Sequence, residues 1–257
     1  MSDQTTNFNE LKSVISKLCG PQGCPWDRQQ THESLRPFLI EECYEVLQSI
    51  DKGTPDKLCE ELGDLLLQIM LHAQIAAEDG QYTIEDVVKG IHDKLVHRHP
   101  HVFGNASVAD AAEVRHKWEL LKNAERKKDE SILASVPTTM PALSYSQSIQ
   151  RRVAEVCFDW KQTEDILDKL TEEVAEIMCA PDKEHRAAEF GDLLFVLVNI
   201  ARRLDIDSES ALRTANQRFY NRFAFMEQQC RQRGITFASL SFDQQNALWE
   251  EAKKNVG

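Results

Sequence analysis

Two acidic motifs lie close together near the start of the chain. Glu41, Glu42 and Glu45 form a Glu-Glu-x-x-Glu pattern, and Glu61 and Asp64 form a Glu-x-x-Asp pattern. Because residues three and four apart share one face of a helix, each motif places its carboxylates on one helical surface. Carboxylates that face one another repel unless a positive charge lies between them. A hard divalent cation supplies this charge, and Mg²⁺, with Mn²⁺ as a substitute, suits an all-carboxylate site.

A solvated acidic face is the competing interpretation, and it is the usual one for an isolated motif of this kind. Residues 65–71 argue against it, because they are apolar nearly all round and predict a buried helix that begins at the carboxylates. Gly63 lies inside the same helical pattern, where glycine is unfavourable, and therefore indicates a close backbone approach.

The whole arrangement occurs a second time. Glu172, Glu173 and Glu176 repeat the first motif, and Glu189 and Asp192 repeat the second. The two motifs are offset by 131 residues (41 to 172) and by 128 residues (61 to 189), so the two halves are in near register. A repeat this long predicts two tandem domains rather than a solenoid.

Basic and aromatic residues also recur at matched places, C-terminal to the carboxylates of each half. They form pairs four residues apart, which places each pair on one helical face where it can meet an anionic ligand. An isolated basic residue is ordinarily a solubilising surface charge, and a tryptophan in such a pair either stacks on a base or belongs to the core. The pairs are Lys94 with Arg98, Trp118 with Lys122, Arg218 with Arg222, and Trp249 with Lys253.

The elements that must position these residues are helices, because no segment shows the alternation of a strand. Pro37 predicts a kink or a restart in the second helix. We predict an all-α fold of two tandem, repeated helical-bundle domains, with a first domain over 1–123, a linker over 124–145 and a second domain over 146–257. The predicted helices of the first half cover 7–19, 31–50, 56–77 and 111–126, with another after Thr83, and the second half ends in a helix over 242–254.

Composition excludes several classes of partner. The net charge of −12 argues against a nucleic-acid polymer, because proteins that bind one usually carry a basic face. The polar N-terminus lacks a signal-peptide pattern, and the longest apolar run is too short and too polar to span a membrane. Seven cysteines without a framework spacing indicate reduced thiols, and hence a cytoplasmic protein.

With these motifs, the chain resembles the MazG family of nucleoside triphosphate pyrophosphohydrolases, in its tandem two-domain form. The resemblance covers almost the full length. It rests on both pairs of acidic motifs, on Gly-Cys-Pro-Trp-Asp at 23–27, Gln-Thr-His at 30–32, Arg-His-Pro-His-Val-Phe-Gly at 98–104 and Phe-Asp-Trp at 158–160. It implies an all-α homodimer that holds Mg²⁺ against a nucleoside triphosphate. The implied reaction cleaves between the α- and β-phosphates to give a nucleoside monophosphate and pyrophosphate, in a nucleotide-pool house-cleaning role.

The resemblance also implies roles for the repeated residues. Those of the second half are the favoured catalytic set, because its basic pairs include two arginines and its first motif helix lacks an equivalent of Pro37. Two positions depart from the family pattern: Arg218 replaces a lysine, and Cys157 replaces the glycine before Phe-Asp-Trp. The implied metal ligands are Glu41, Glu42, Glu45, Glu61 and Asp64, and Glu172, Glu173, Glu176, Glu189 and Asp192. The implied substrate-binding residues are Lys94, Arg98, Trp118, Lys122, Arg218, Arg222, Trp249 and Lys253.

Two other functions fit part of the pattern. A di-iron bundle oxidase would also display helical carboxylates, but it needs Glu-x-x-His on two helices, and Glu113 to His116 is an unrepeated instance. A nucleotide-sensing or assembly scaffold with a relict metal site in one or both halves is the non-enzymatic alternative. A phosphate-cradling G-x-x-x-x-G-K-[ST] loop is absent, so side chains and metal must neutralise a bound triphosphate.

Overall fold

A computed structural model describes residues 7–111, 113, 114, 117, 118, 121 and 130–256 of the chain. The chain divides into two compact units, Met1–Glu125 and Arg126–Gly257. Over the described ranges, the regular structure consists of ten α-helices and two short 3₁₀ turns, without a strand. This composition confirms the predicted all-α class with tandem helical units.

The first unit is built around an antiparallel pair of helices. Asn7, Thr31 and Thr83 cap three of its helices by accepting hydrogen bonds from backbone N–H groups of the first turn. Its core consists of Ile15, Leu35, Met70, Leu71, Ala73 and Ile84. The helices are α1 (Phe8–Cys19), α2 (His32–Lys52), α3 (Pro55–Glu78), α4 (Ile84–Arg98) and α5 (Pro100–Phe103). The predicted helix over 111–126 falls mainly on residues outside the described ranges.

The turn between α2 and α3 brings the two acidic motifs opposite each other. Gly53 ends α2 in the left-handed conformation (φ 63°), which glycine adopts without strain, and Pro55 occupies the first turn of α3. The restart predicted at Pro37 is wrong, because α2 is one continuous helix across that residue. The predicted ranges 31–50 and 56–77 match α2 and α3 to within two residues.

The second unit repeats this plan. Asp182, Asp207 and Ser241 cap its helices, and Gly234 ends one of them with φ 65°. The helices are α6 (Ala142–Ala154), α7 (Thr163–Cys179), α8 (Lys183–Arg203), α9 (Ser208–Arg233) and α10 (Phe242–Asn255). The pair α7 and α8 corresponds to α2 and α3, and α9 and α10 pack through a core of Met226, Cys230, Leu248 and Ala252.

Residues assigned to the linker by the sequence take part in the second unit. Val136 is buried, and Leu133 lines a cavity of that unit described below. The boundaries at 123 and 146 stay a prediction, since residues 122–129 lie outside the described ranges. No helix in the described part of the chain is long and apolar enough to cross a membrane.

Candidate active site

The α2–α3 pair brings three predicted ligands of the first half together. Oxygens of Glu42, Glu45 and Glu61 lie within 4.8 Å of one another. Glu61 is buried, whereas Glu42 is half-buried and Glu45 is exposed. Burial, followed by the negative charges of Asp64 and Glu45, raises the pKa of Glu42. Three acidic groups in one small volume therefore require a positive charge to ionise together.

A lysine supplies a positive charge at this cluster. Lys57 Nζ lies 2.8 Å from Glu61 and 3.1 Å from Glu60. Its hydrogen bond lowers the pKa of Glu61, whereas hydrogen bonding with Glu61 raises the pKa of Glu45. The hydrogen bonds to Glu61 and Glu60 in turn raise the pKa of Lys57.

The second half forms a corresponding cluster with a different membership. Oxygens of Glu173, Glu189 and Asp192 lie within 4.8 Å of one another, and Glu173 is 3% exposed. Oε2 of Glu173 is buried and has no hydrogen-bond partner among the described residues. An unsatisfied carboxylate oxygen in a buried position is costly, so this atom fits a cation ligand better than a structural group.

Lys169 neutralises the Glu-Glu-x-x-Glu motif of the second half from within the same helix. Its Nζ lies 2.8 Å from Glu173, 3.1 Å from Glu172 and 3.9 Å from Glu176. Burial, which outweighs the effect of this ammonium group, raises the pKa of Glu176. Lys169 belongs to α7, the Glu-Glu-x-x-Glu helix, whereas Lys57 belongs to α3, the Glu-x-x-Asp helix. Neither lysine was predicted from the sequence, although a Lys-x-x-x-Glu spacing marks each of them.

Four predicted ligands lie outside these two three-residue clusters. Glu41 and Asp64 are near enough to raise the pKa of Glu42 electrostatically, and Glu172 and Glu176 contact Lys169. Each half therefore gathers its carboxylates in one region. All of the donors are hard oxygens, so the site suits a divalent cation such as Mg²⁺ or Mn²⁺. Their assignment as metal ligands stays a prediction.

The predicted substrate-binding residues of the second half lie on α9 and α10. Arg222 donates from Nε to the carbonyl of Val256 (3.3 Å), and its guanidinium lies 5.8 Å from the centre of the Trp249 ring. Lys253 forms an ion pair with Glu250 at 2.6 Å. Arg218 is exposed and forms no hydrogen bond or ion pair with other described residues. Trp249 packs beside the α9–α10 core, so it is partly a core residue.

In the first half, the matched residues are only partly described. Lys94 is exposed on α4, and Arg98 ends that helix. The Trp118 ring lies 6.5 Å from the His99 ring, in a tilted arrangement. Lys122 lies outside the described residues. No ion pair between described residues joins these basic groups, or those of α9 and α10, to the carboxylate clusters.

A cavity of about 760 Å³ adjoins the carboxylates of the second half. Cavities of this size accommodate small organic ligands. Lys169, Glu173 and Asp192 lie in its wall, and the remainder is mainly apolar and aromatic. The other lining residues are Leu133, Ile149, Gln150, Val153, Cys157, Phe158, Asp159, Trp160, Ile166, Phe195, Val196 and Asn199.

An ion pair fastens one wall of this cavity to α8. Arg202 donates from Nη2 to Oδ1 of Asp159 (2.5 Å), and Arg203 donates to the carbonyl of Trp160 (2.6 Å). Burial raises the pKa of Asp159, but the hydrogen bond and charge of Arg202 outweigh it and hold this pKa below its ordinary value. Cys157, at the start of this wall, has φ 62°, which explains why the family pattern has glycine there.

Two family models match the chain. The MazG nucleotide pyrophosphohydrolase domain matches residues 30–103, and the phosphoribosyl-ATP pyrophosphohydrolase model matches residues 144–219. The first match contains both acidic motifs of the first half, and the second contains both motifs of the second half.

Three relatives align along almost the whole chain. The chain is 46% identical over 247 residues to the nucleoside triphosphate pyrophosphohydrolase/pyrophosphatase MazG of Thermotoga maritima, covering 96% of this chain and 95% of the relative. It is 39% identical over 255 residues to a nucleoside triphosphate pyrophosphohydrolase of Escherichia coli, covering 96% and 97%. It is also 46% identical to an uncharacterised Bacillus subtilis protein, covering 96% of this chain and 52% of the relative.

Proposed function

We propose that this chain, which belongs to the MazG family of nucleoside triphosphate pyrophosphohydrolases, cleaves nucleoside triphosphates to a monophosphate and pyrophosphate with Mg²⁺ in its second half. One observation carries the choice of half. The cavity of about 760 Å³ opens beside the buried Glu173 and beside Asp192, so a nucleoside bound there has its phosphates close to the carboxylates.

In the second half, the acidic residues would bind the metal ion and the basic residues would bind the phosphates. Glu173, Glu189 and Asp192 would hold the divalent cation, with Mn²⁺ as a substitute for Mg²⁺, and Glu172 and Glu176 complete the acidic set. When bound, such an ion neutralises the phosphates and polarises the anhydride that breaks. A carboxylate that is not a ligand is available to accept a proton from the attacking water.

Cationic side chains provide the second part of the site. Lys169 lies among the carboxylates and lines the cavity, so its ammonium can form an ion pair with a phosphate when a triphosphate binds. Arg218, Arg222 and Lys253, set on α9 and α10, are suited to grip the departing pyrophosphate, because guanidinium groups bind phosphate oxygens in pairs. Trp249 offers an aromatic face held by Arg222.

The bond that breaks can be tested directly. Hydrolysis of a triphosphate in ¹⁸O-labelled water should yield monophosphate and pyrophosphate as the first products, without accumulation of diphosphate. The physical reason is that no phosphate-cradling glycine loop is present to hold a terminal phosphate, so neutralisation depends on metal and helical side chains. Chromatography and mass spectrometry of early time points make the measurement. Diphosphate with orthophosphate would contradict the mechanism, and absence of turnover would favour the nucleotide-sensing or scaffold alternative.

We also propose a homodimer, which the family resemblance implies. Apolar side chains on several helices are exposed in the single chain, and a second copy is the partner that the resemblance favours. Light scattering should therefore give twice the chain mass of 29.4 kDa, and replacing both Val88 and Ile91, each 49% exposed, by glutamate should shift the protein toward monomer. A monomer at micromolar concentration in the unchanged protein would contradict this proposal.

The cellular setting follows from the same premises. All seven cysteines are free thiols, which suits a reducing cytoplasm. A net charge of −12 leaves small nucleotides, rather than nucleic-acid polymers, as the partners. In this setting the enzyme would remove unwanted triphosphates from the nucleotide pool.

A further inference from the structure

Two amide side chains line the cavity of the second half, among residues that are mainly apolar. Asn199 lies on α8, and Gln150 lies on α6 and is 3% exposed. At the position of Asn199, offset by 128 residues, the first half has Leu71, which belongs to its core. Helix packing at this position is therefore compatible with leucine and does not require an amide. A ligand that bonds to the Asn199 amide would account for its presence.

The orientation of the Asn199 amide is fixed by its neighbour. Arg202 donates from Nη2 to Oδ1 of Asn199 at 3.1 Å, and a guanidinium has no acceptor, so the amide oxygen must face it. Arg202 is itself held by Asp159, and their side chains are 12% and 25% exposed. The hydrogen-bonding group that Asn199 has left for a ligand is therefore its NH₂, a donor.

The Gln150 amide offers the opposite group. Its Nε2 donates to the carbonyl of Phe195 at 2.8 Å, so its donor side is occupied, and its buried Oε1 has no partner among the described residues. In an α-helix the carbonyl of residue 195 receives the N–H of residue 199, so the Gln150 amide lies within one turn of Asn199. A buried acceptor without a donor is costly unless a ligand or water supplies one.

A donor beside an acceptor matches one edge of particular nucleobases. The 6-oxopurines and 4-oxopyrimidines present a carbonyl oxygen next to a ring N–H, whereas adenine and cytosine present an amino group next to a bare ring nitrogen. We propose that Asn199 donates to the carbonyl and Gln150 accepts from the ring N–H, so that the second half selects oxo bases over amino bases. This inference rests on the proposed function, because it takes the cavity as the nucleoside site.

Two matched substrate pairs test the selection. Inosine triphosphate differs from ATP, and UTP from CTP, at the edge in question while the remainder of each pair is the same. We expect kcat/KM to be at least about tenfold higher for the oxo member of each pair, the ratio that a difference of about 1.4 kcal/mol produces. Equal values for both members of both pairs in the unchanged protein would overturn the inference.

Two substitutions locate the selection at Asn199. Asn199→Asp keeps the shape and the contact with Arg202 but turns the donor into an acceptor, so the oxo-to-amino ratio should fall by about tenfold or more. Asn199→Leu, the residue of the first half, should bring the ratio toward one. Asn105→Asp, the same change in an exposed loop of the first unit, should leave the ratio unchanged. An unchanged ratio in a folded Asn199→Asp protein would contradict the assignment.

Calorimetric binding of the same four nucleotides separates this inference from the proposed function. If the nucleotides bind without being hydrolysed, the proposed activity is wrong, while the ratio of the Kd values still decides whether the oxo edge is selected. If turnover occurs with equal ratios, the activity stands and the inference fails.

Discussion

Glu173→Gln is expected to lower Mg²⁺-dependent triphosphate hydrolysis by more than about a hundredfold, the usual cost of removing a group that stabilises transition-state charge. Glu173 is buried, contributes to the cluster with Glu189 and Asp192, and has an unpartnered oxygen. Glutamine fills the same volume without the charge, and Lys169 keeps Glu172 as an ion-pair partner. Circular dichroism should therefore show unchanged helicity, while initial rates with Mg²⁺ report the loss.

Glu42→Gln is the matched control, because Glu42 is the residue 131 positions earlier in the first half. We expect it to retain nearly the activity of the unchanged protein, since the large cavity adjoins the carboxylates of the second half. If Glu42→Gln abolishes activity and Glu173→Gln does not, the active half is assigned wrongly. If neither single change nor their combination reduces the rate in folded protein, the carboxylates are not the metal site.

Arg222→Ala is expected to lower kcat/KM by about a hundredfold, because it removes the guanidinium that we propose binds the leaving pyrophosphate. Arg222→Lys keeps the charge but loses the planar guanidinium and its packing against Trp249. Its kcat/KM should therefore lie between those of the unchanged protein and Arg222→Ala. Steady-state kinetics with one triphosphate measure both variants. A thermal melt accompanies them, because Arg222 also donates to the carbonyl of Val256.

Arg98→Ala provides the corresponding control in the first half, 124 residues earlier. Arg98 is the last residue of α4, whereas Arg222 lies inside α9. If the second half is the active one, Arg98→Ala should change kcat/KM little. A rate for Arg222→Ala equal to that of the unchanged protein would remove Arg222 from the substrate site, and equal losses for both variants would indicate two working halves.

Much of the fold could be predicted because its determinants are local. The α2–α3 pair was predicted from signals within short segments: helical periodicity, the glycine at 53 and the proline at 55. The carboxylate positions followed from helix geometry alone. The continuity of α2 across Pro37 could not be predicted, because packing on both sides of the residue decides whether a helix tolerates a proline.

The finer arrangement of the site depends on contacts between distant residues. Asp159 accepts a hydrogen bond from Arg202, 43 residues away in the sequence, and Gln150 donates one to the carbonyl of Phe195, 45 residues away. No sequence pattern predicts pairs at such separations. Which three carboxylates gather in each half is likewise set by side-chain packing. Lys57 and Lys169 lie one helical turn from their glutamates and were detectable in principle, but lysines at that spacing occur on ordinary solvated helices.

The ion pairs of Lys57 and Lys169 have a consequence for how the protein is made. Some metalloproteins stay unfolded until their ion arrives, because nothing else offsets the repulsion or supplies the binding energy. Here an ammonium on the same helix accompanies a buried glutamate in each half. We therefore expect a newly synthesised chain to bury these two glutamates with or without divalent ions. Under the proposed metal dependence, scarcity of metal would then lower the activity without unfolding the protein.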